Sequence, residues 1–274
     1  MNDDPEVEKL LSGGGYEEIL DSLAIMHPRV AAILKRAQHN RNLKIRALFG
    51  NSRLRGLEEL IWFLETVRDE MERHPTLSRL AFLVERARAD YEIGIEAMLA
   101  EMRDVVFNAM RDVMEIDYLL KDFTHEPAHI DEWLAMSPDK LLSKFMPGCL
   151  RKRQAKRLGI KPEELPTTKD YKGHSRFLHA NPRSNPLGDK GVLSLPGSDA
   201  GPFQVDTSFW DMYRHGVDLI LTIRVLFTTI GETDKESILS DDYLQEFIVA
   251  NDEVRAAEQY FFSQLKMRAL NDSG

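Results

Sequence analysis

Apolar residues recur along this chain in steps of three and four, the spacing that puts them on one face of an α-helix. No stretch alternates apolar and polar positions with the period of two that a strand needs, and β-branched content is low. The pattern predicts an all-α protein. A short helix runs over 16–26. Pro28 suits a first helical turn, where its missing N–H is no loss, and opens a helix to about Phe49. A third helix, about Ser52 to Arg73, carries Leu57, Leu60, Ile61, Leu64 and Val67 on one side and ends before His74-Pro75. The longest periodic stretch, about 76–121, places Leu80, Val84, Ala87, Tyr91, Ile95, Met98, Met102, Val105, Ala109, Val113, Ile116 and Leu120 on one stripe. As one helix it spans roughly 65–70 Å; a break near Gly94 is the alternative.

Beyond Asp122 the texture changes to short helices. Pro127 opens one through Trp133, Ser137-Pro138 starts another, and Pro147-Gly148 interrupts it. A basic helical segment covers 149–158, and a further helix covers 169–180. Residues 181–204 are rich in glycine and proline and read as a loop, followed by helices over about 205–230 and 235–270. The expected architecture is a helical bundle built on one long central helix, with a flanking insert of short helices at 124–180. The expected domain organisation is a flexible acidic tail, 1–15, and a single helical domain, 16–270, containing the 181–204 loop.

Charge sharpens this picture. The 274 residues hold 36 Lys and Arg against 45 Asp and Glu, a net charge of −9, which excludes a uniformly basic nucleic-acid coat. The charges are segregated, however. Eight basic residues and no acid lie between Arg29 and Arg55, and eight more with no acid lie between Lys140 and Lys161; residues 232–258 hold nine acids against two bases. The segments 29–55 and 140–161 are therefore candidate phosphate-contacting surfaces, with Arg151, Lys152 and Arg153 foremost, although neither carries an aromatic stacking platform. Internal pairing with the acidic C-terminal segment is the other reading. The single cysteine, Cys149, excludes an internal disulfide framework. An acidic N-terminus without an apolar core is no secretory signal, and the most apolar run, 219–230, is short for a bilayer and contains Arg224. The expectation is a cytoplasmic protein without membrane contact, self-associating or bound to a protein partner through its long helices.

Familiar catalytic motifs fit poorly. His125-Glu126-Pro127-Ala128-His129 matches the zinc motif H-E-x-x-H, but proline breaks the regular helix that the ligand geometry requires. Glu126-x-x-His129 is the only E-x-x-H, whereas a di-iron bundle uses two. Arg68 and His74 have the spacing of a metal-independent ribonuclease pair, a spacing common by chance in a chain this rich in arginine. There is no phosphate-binding G-x-x-x-x-G-K-[ST] and no G-x-S-x-G nucleophile elbow. No metal and no cofactor are expected.

Two helical faces are more informative. Arg111, Glu115 and Tyr118 fall at i, i+4 and i+7 among Val113, Met114 and Leu119; Tyr171, Ser175 and His179 fall at i, i+4 and i+8. An arginine–carboxylate pair inside a bundle requires full hydrogen bonding, and a Tyr/Ser/His face can supply it. As a site, His179 would be the acid or base, Glu115 would orient it, Arg111 would hold an anion, and Ser175, Tyr118 and Tyr171 would complete the centre. As structure, the same set fixes helix register.

The string Arg111-Asp112-Val113-Met114-Glu115-Ile116-Asp117-Tyr118-Leu119-Leu120, then Pro127 with Trp133-Leu134, then Tyr171-x3-Ser175-x3-His179, resembles a large family of all-helical bacterial proteins of unknown function. The resemblance covers about residues 100–182, and the basic insert at 149–161 departs from it. It implies a helical fold and a mobile-element or phage-defence setting, without an assigned activity. The resulting expectation is a binding or regulatory protein with an Arg/Glu/Ser/His centre. The alternatives are a metal-independent ribonuclease of toxin type and, third, an H-E-x-x-H metallohydrolase.

Overall fold

The structure, a computed structural model, describes residues 15–48, 52–100, 102–178 and 200–230. Among these the chain is all-α, with no strand. The helices are α1 (Tyr16–Met26), α2 (Pro28–Leu48), α3 (Ser52–Arg73), α4 (Ala81–Leu99), α5 (Arg103–His125), α6 (Ala128–Ala135), α7 (Pro138–Lys144), α8 (Pro147–Leu158), α9 (Pro166–Leu178) and α10 (Ala200–Ile230). Single 3-10 turns at Leu77–Leu80 and Pro162–Glu164 precede α4 and α9. Proline stands at the first turn of α2, α7, α8 and α9. Gly159 ends α8 in the left-handed region at φ 68°, and the N–H of Ile160 returns to the carbonyl of Ala155 at 3.1 Å.

The chain divides into two compact units, residues 1–49 with 99–101, and the remainder. In the first, α1 and α2 pack as a hairpin. The N–H of His27 closes on the carbonyl of Leu23 at 2.7 Å, Leu20 and Ala31 are buried, and Lys35 pairs with Asp21 at 2.5 Å.

The second unit is organised around α5, which packs against α10, α9, α8 and α6. Its buried stripe runs Val106, Met110, Val113, Leu120 and Phe123, and α10 answers with Met212, Leu219, Ile220, Ile223 and Leu226. Each such side chain contributes roughly 1.5–3 kcal/mol of apolar burial. A polar tie, through Asp117, joins the two helices. Asp117 of α5 accepts from Lys121 at 2.6 Å and from the hydroxyl of Thr222 on α10. Tyr213 lies so close to α3 that a Cβ added to Gly56 would sit 1.6 Å from its hydroxyl oxygen.

The periodic stretch 76–121 is not one helix. It divides at 100–102 into α4 and α5, where the N–H of Met102 reaches back to the carbonyl of Ala97 at 2.7 Å, a five-residue step that ends the regular ladder. Gly94 is not the breaker. It lies inside α4 and admits Met212, whose Cε would be 3.1 Å from a Cβ at that position. Further expectations need adjustment: α8 begins at Pro147, expected as an interruption before 149, and α9 covers Pro166–Leu178, expected over 169–180. Pro127 does begin a new helix, but the helix reaches Ala135, and residues 200–204, expected as the end of a loop, form the first turn of α10. The tail, most of the 181–204 loop and the helix expected over 235–270 lie outside the described residues. No described helix is long and apolar enough to cross a membrane.

Candidate functional site

The i, i+4 spacing on α5 brings Arg111 and Glu115 together at 3.2 Å. The partner face comes from α9, as the sequence suggests, through Tyr171. Arg111 donates from Nε (3.1 Å) and Nη2 (2.9 Å) to the Tyr171 hydroxyl, which donates in turn to Glu115 Oε1 at 2.6 Å. The phenol is thus both acceptor and donor, and every member of the trio is satisfied. Burial, followed by the neighbouring Glu115 carboxylate, pushes the Tyr171 hydroxyl above its ordinary pKa, so it remains a neutral donor. The Arg111 and Glu115 side chains keep 28% and 33% exposure, so the trio is open to solvent on one side.

Two more predicted residues join it. Tyr118 tilts against Tyr171 with ring centroids 6.2 Å apart and donates to the carbonyl of Thr167 at 3.1 Å. Arg151 of α8 lays its guanidinium carbon 4.2 Å from the centre of the Tyr171 ring, while that of Arg111 stands 5.1 Å from the same ring. One aromatic ring thus carries two guanidinium contacts. Arg151 Nε donates to the carbonyl of Pro147 at 3.2 Å, but its Nη1 is buried without a hydrogen-bond partner, and Arg151 has no carboxylate partner among the described residues. The hydroxyl of Thr167 is likewise buried and unpartnered.

The remaining predicted residues lie elsewhere. Arg153 faces a different centre, the buried Asp122 of α5. Arg153 donates to both Asp122 oxygens at 3.0 and 2.7 Å, Arg157 to Oδ1 at 2.9 Å, and His129 Nδ1 lies 2.8 Å from Oδ2. Burial alone would raise the Asp122 pKa; the hydrogen bonds from Arg153 and His129 outweigh it and hold the carboxyl below its usual range. Lys152 is exposed on α8. The side chain of Ser175, and all of His179, lie outside the described residues.

The motifs weighed as unlikely chemistry have other employment. His125 closes α5 and His129 belongs to the Asp122 centre, so H-E-x-x-H is divided between two helices. Arg68 is held by Asp69 and Glu85, and His74 Nδ1 accepts the backbone N–H groups of Thr76 and Leu77 at 3.2 Å. The basic segment 140–161 spends part of its charge internally, through Lys144 with Glu132 and through Arg153 and Arg157 with Asp122. Lys152 and Lys156 remain exposed on α8 without an ion pair among the described residues.

Sequence reasoning missed the Asp122 centre and a second polar group. Asp170 and His174 of α9 meet Asp211 and His215 of α10, with one ligand-type atom of each within 4.8 Å of the others. His174 Nε2 is 2.8 Å from Asp211 Oδ2, and His174 Nδ1 faces the carbonyl of Asp170 at 3.1 Å. Arg214 Nη2 is 2.6 Å from Asp170 Oδ2. Burial pushes the His174 imidazole down, but the Asp211 carboxylate more than offsets it, so its pKa is raised. Burial likewise opposes ionisation of Asp211, and the two imidazoles reverse that and hold it ionised. The available signal was the same spacing twice, Asp170-x3-His174 and Asp211-x3-His215, each placing carboxylate and imidazole on one helical face.

Scans against protein-family models, the curated proteins and the solved structures returned no match.

Proposed function

We propose that this chain is a helical binding protein that recognises a phosphate-bearing ligand at the Arg111–Tyr171–Glu115 centre and the adjoining face of α8. The observation that carries this reading is Arg151: a guanidinium stacked on Tyr171, with a buried Nη1 lacking a partner and no carboxylate opposite it among the described residues. An unmatched donor of this kind, beside a second arginine already oriented by Tyr171, fits an anionic group in charge and geometry. Exposed Lys152 and Lys156, one helical turn apart on α8, extend the positive surface. The trio is satisfied by hydrogen bonds and presents no activated nucleophile, which favours binding over catalysis. A phage-defence or mobile-element role rests on the sequence resemblance alone.

The test is titration of a labelled single-stranded RNA, with EDTA present, into wild-type and Arg151→Ala protein. Intact RNA, salt-sensitive binding, and at least tenfold weaker binding by the variant are expected, since a charged hydrogen-bonding contact is worth about 1.5–3 kcal/mol. Equal binding by both proteins removes the reading. Cleavage of the RNA in EDTA replaces it with a metal-independent ribonuclease.

A further inference from the structure

Asp170, His174, Asp211 and His215 take no part in the anion centre, and their arrangement asks for something the side chains do not supply to one another. His215 is 3% exposed, and its Nε2 is buried without a hydrogen-bond partner. That nitrogen points into the group, 3.5 Å from Asp211 Oδ1 and 3.7 Å from Asp170 Oδ2, close to two carboxylates but bonded to neither. A buried imidazole nitrogen without a partner is destabilising, because it has lost water and gained nothing in return. His174 poses the complementary question. Its Nδ1 faces the backbone carbonyl of Asp170, a contact that requires the proton on Nδ1. The Nε2 of the same neutral ring would then turn a lone pair toward Asp211 Oδ2 at 2.8 Å. Only a second proton or a cation between them makes that contact favourable.

We propose that these four residues bind one divalent first-row transition ion. The donor set is two imidazole nitrogens and two carboxylate oxygens, the composition suited to Zn²⁺, Mn²⁺ or Fe²⁺ rather than to Ca²⁺ or Mg²⁺. In a tetrahedral site with ligands at about 2.0–2.1 Å, the donors stand roughly 3.3–3.4 Å from one another. The separations of His215 from the two carboxylates, 3.5 and 3.7 Å, are already near that edge length. The 2.8 Å separation of His174 from Asp211 opens by about half an ångström to admit the ion. The hydrogen bond from His174 Nδ1 to its own helix's backbone is the outer contact that aims a metal-bound histidine. Arg214 pairs by charge with the same Asp170 oxygen that faces His215, Oδ2, at 2.6 Å, and that buried oxygen has no hydrogen-bond partner. Four protein ligands close the coordination sphere, so the ion is structural: it clips α9 to α10 across 37 residues of chain.

The experiment uses the full chain, stripped with chelator and dialysed, then titrated calorimetrically with Zn²⁺ and separately with Mn²⁺. One equivalent of at least one ion is expected at micromolar affinity or tighter. In His215→Ala the affinity should fall by about a hundredfold or more, beyond what loss of an outer contact costs. His125→Ala, at the exposed end of α5, should bind as wild type does. If His215→Ala fails to fold, Co²⁺ added to the wild-type protein decides: intense visible absorption marks tetrahedral coordination and supports the site. Absence of stoichiometric binding by any of the three ions, or undiminished binding by folded His215→Ala, overturns the proposal and leaves a buried ion-pair network. Failure of this proposal does not decide the anion reading, which the Arg151→Ala titration tests separately.

Discussion

Removing the Asp122 carboxylate is expected to damage both stability and ligand binding. Asp122 is almost wholly buried and is the common acceptor for two arginines and a histidine. Substitution by alanine leaves Arg153 and Arg157 without their carboxylate. Breaking a buried pair from one side costs about 3–5 kcal/mol. Here the arginine side chains retain 25% and 29% exposure, so water recovers part of their solvation, and the lower end, about 3 kcal/mol, is the expected figure. For a domain of 150–250 residues each kilocalorie moves Tm by about 2–4 °C, so Asp122→Ala should melt about 6–12 °C below wild type. The functional arm follows from position. Arg153 and Arg157 fasten α8 to α5, and the same α8 carries Arg151 to the Tyr171 ring. At a temperature where the variant is still folded, its RNA affinity should therefore fall although Asp122 touches no ligand. Thermal melts of Asp122→Ala, Arg153→Ala and the double variant measure the coupling, expected at about 1–3 kcal/mol. A Tm loss under 2 °C, or additive single effects, would refute the claim that Asp122 holds α8.

Two further predictions concern packing and pH. Gly56→Ala should severely lower the unfolding midpoint, because the new methyl would lie 1.6 Å from the hydroxyl oxygen and 2.5 Å from the ring carbon Cζ of a fully buried Tyr213; Gly56→Ala with Tyr213→Leu, which removes the ring, should recover part of the loss, and near-wild-type melting of the single variant would show that α3 can yield there. Asp90, half-buried on α4, has its pKa raised to about 8, first by burial and then by the neighbouring Asp112 carboxylate, which also accepts from Nε and Nη2 of Arg86. The folded state thus holds the Asp90 proton more tightly than the unfolded one, so the stabilisation is fully present below about pH 4 and is lost as pH rises through about 8. Melting wild type and Asp90→Asn from pH 5 to 9 should show the steeper decline in wild type; parallel curves would contradict the raised Asp90 pKa.

Helix starts were legible at Pro28 and Pro138, because the constraint is local to the residue itself; Pro147, read as an interruption, and Pro166, passed over for a start at 169, open helices as well. The break at 100–102 was not, since Ala100, Glu101 and Met102 carry no breaker and the apolar stripe continues across it. Gly94 misled for a related reason: its missing side chain serves the close approach of Met212 from a distant helix, which no local pattern encodes. Within the site, Arg111, Glu115 and Tyr118 could be grouped because they share one helix, and Tyr171 because its own helix offered a polar face. The choice of face was incomplete. Sequence reasoning followed Tyr171, Ser175 and His179 and passed over Asp170 and His174, whose partners Asp211 and His215 become neighbours only after α9 and α10 have both packed on α5.

Asp170 and Tyr171 are consecutive residues, about 100° apart around α9. One looks toward α10 and its histidine, the other toward α5 and the two guanidinium groups. A rotation of α9 that improves either contact displaces the other, so the helix behaves as a shared axle. Anything that fixes its angle from one side prepays the ordering cost on the other. If both proposed centres take their ligands, occupancy is linked, and the linkage is reciprocal: a cation that tightened anion binding would itself be held more tightly, by the same factor, once the anion was in place.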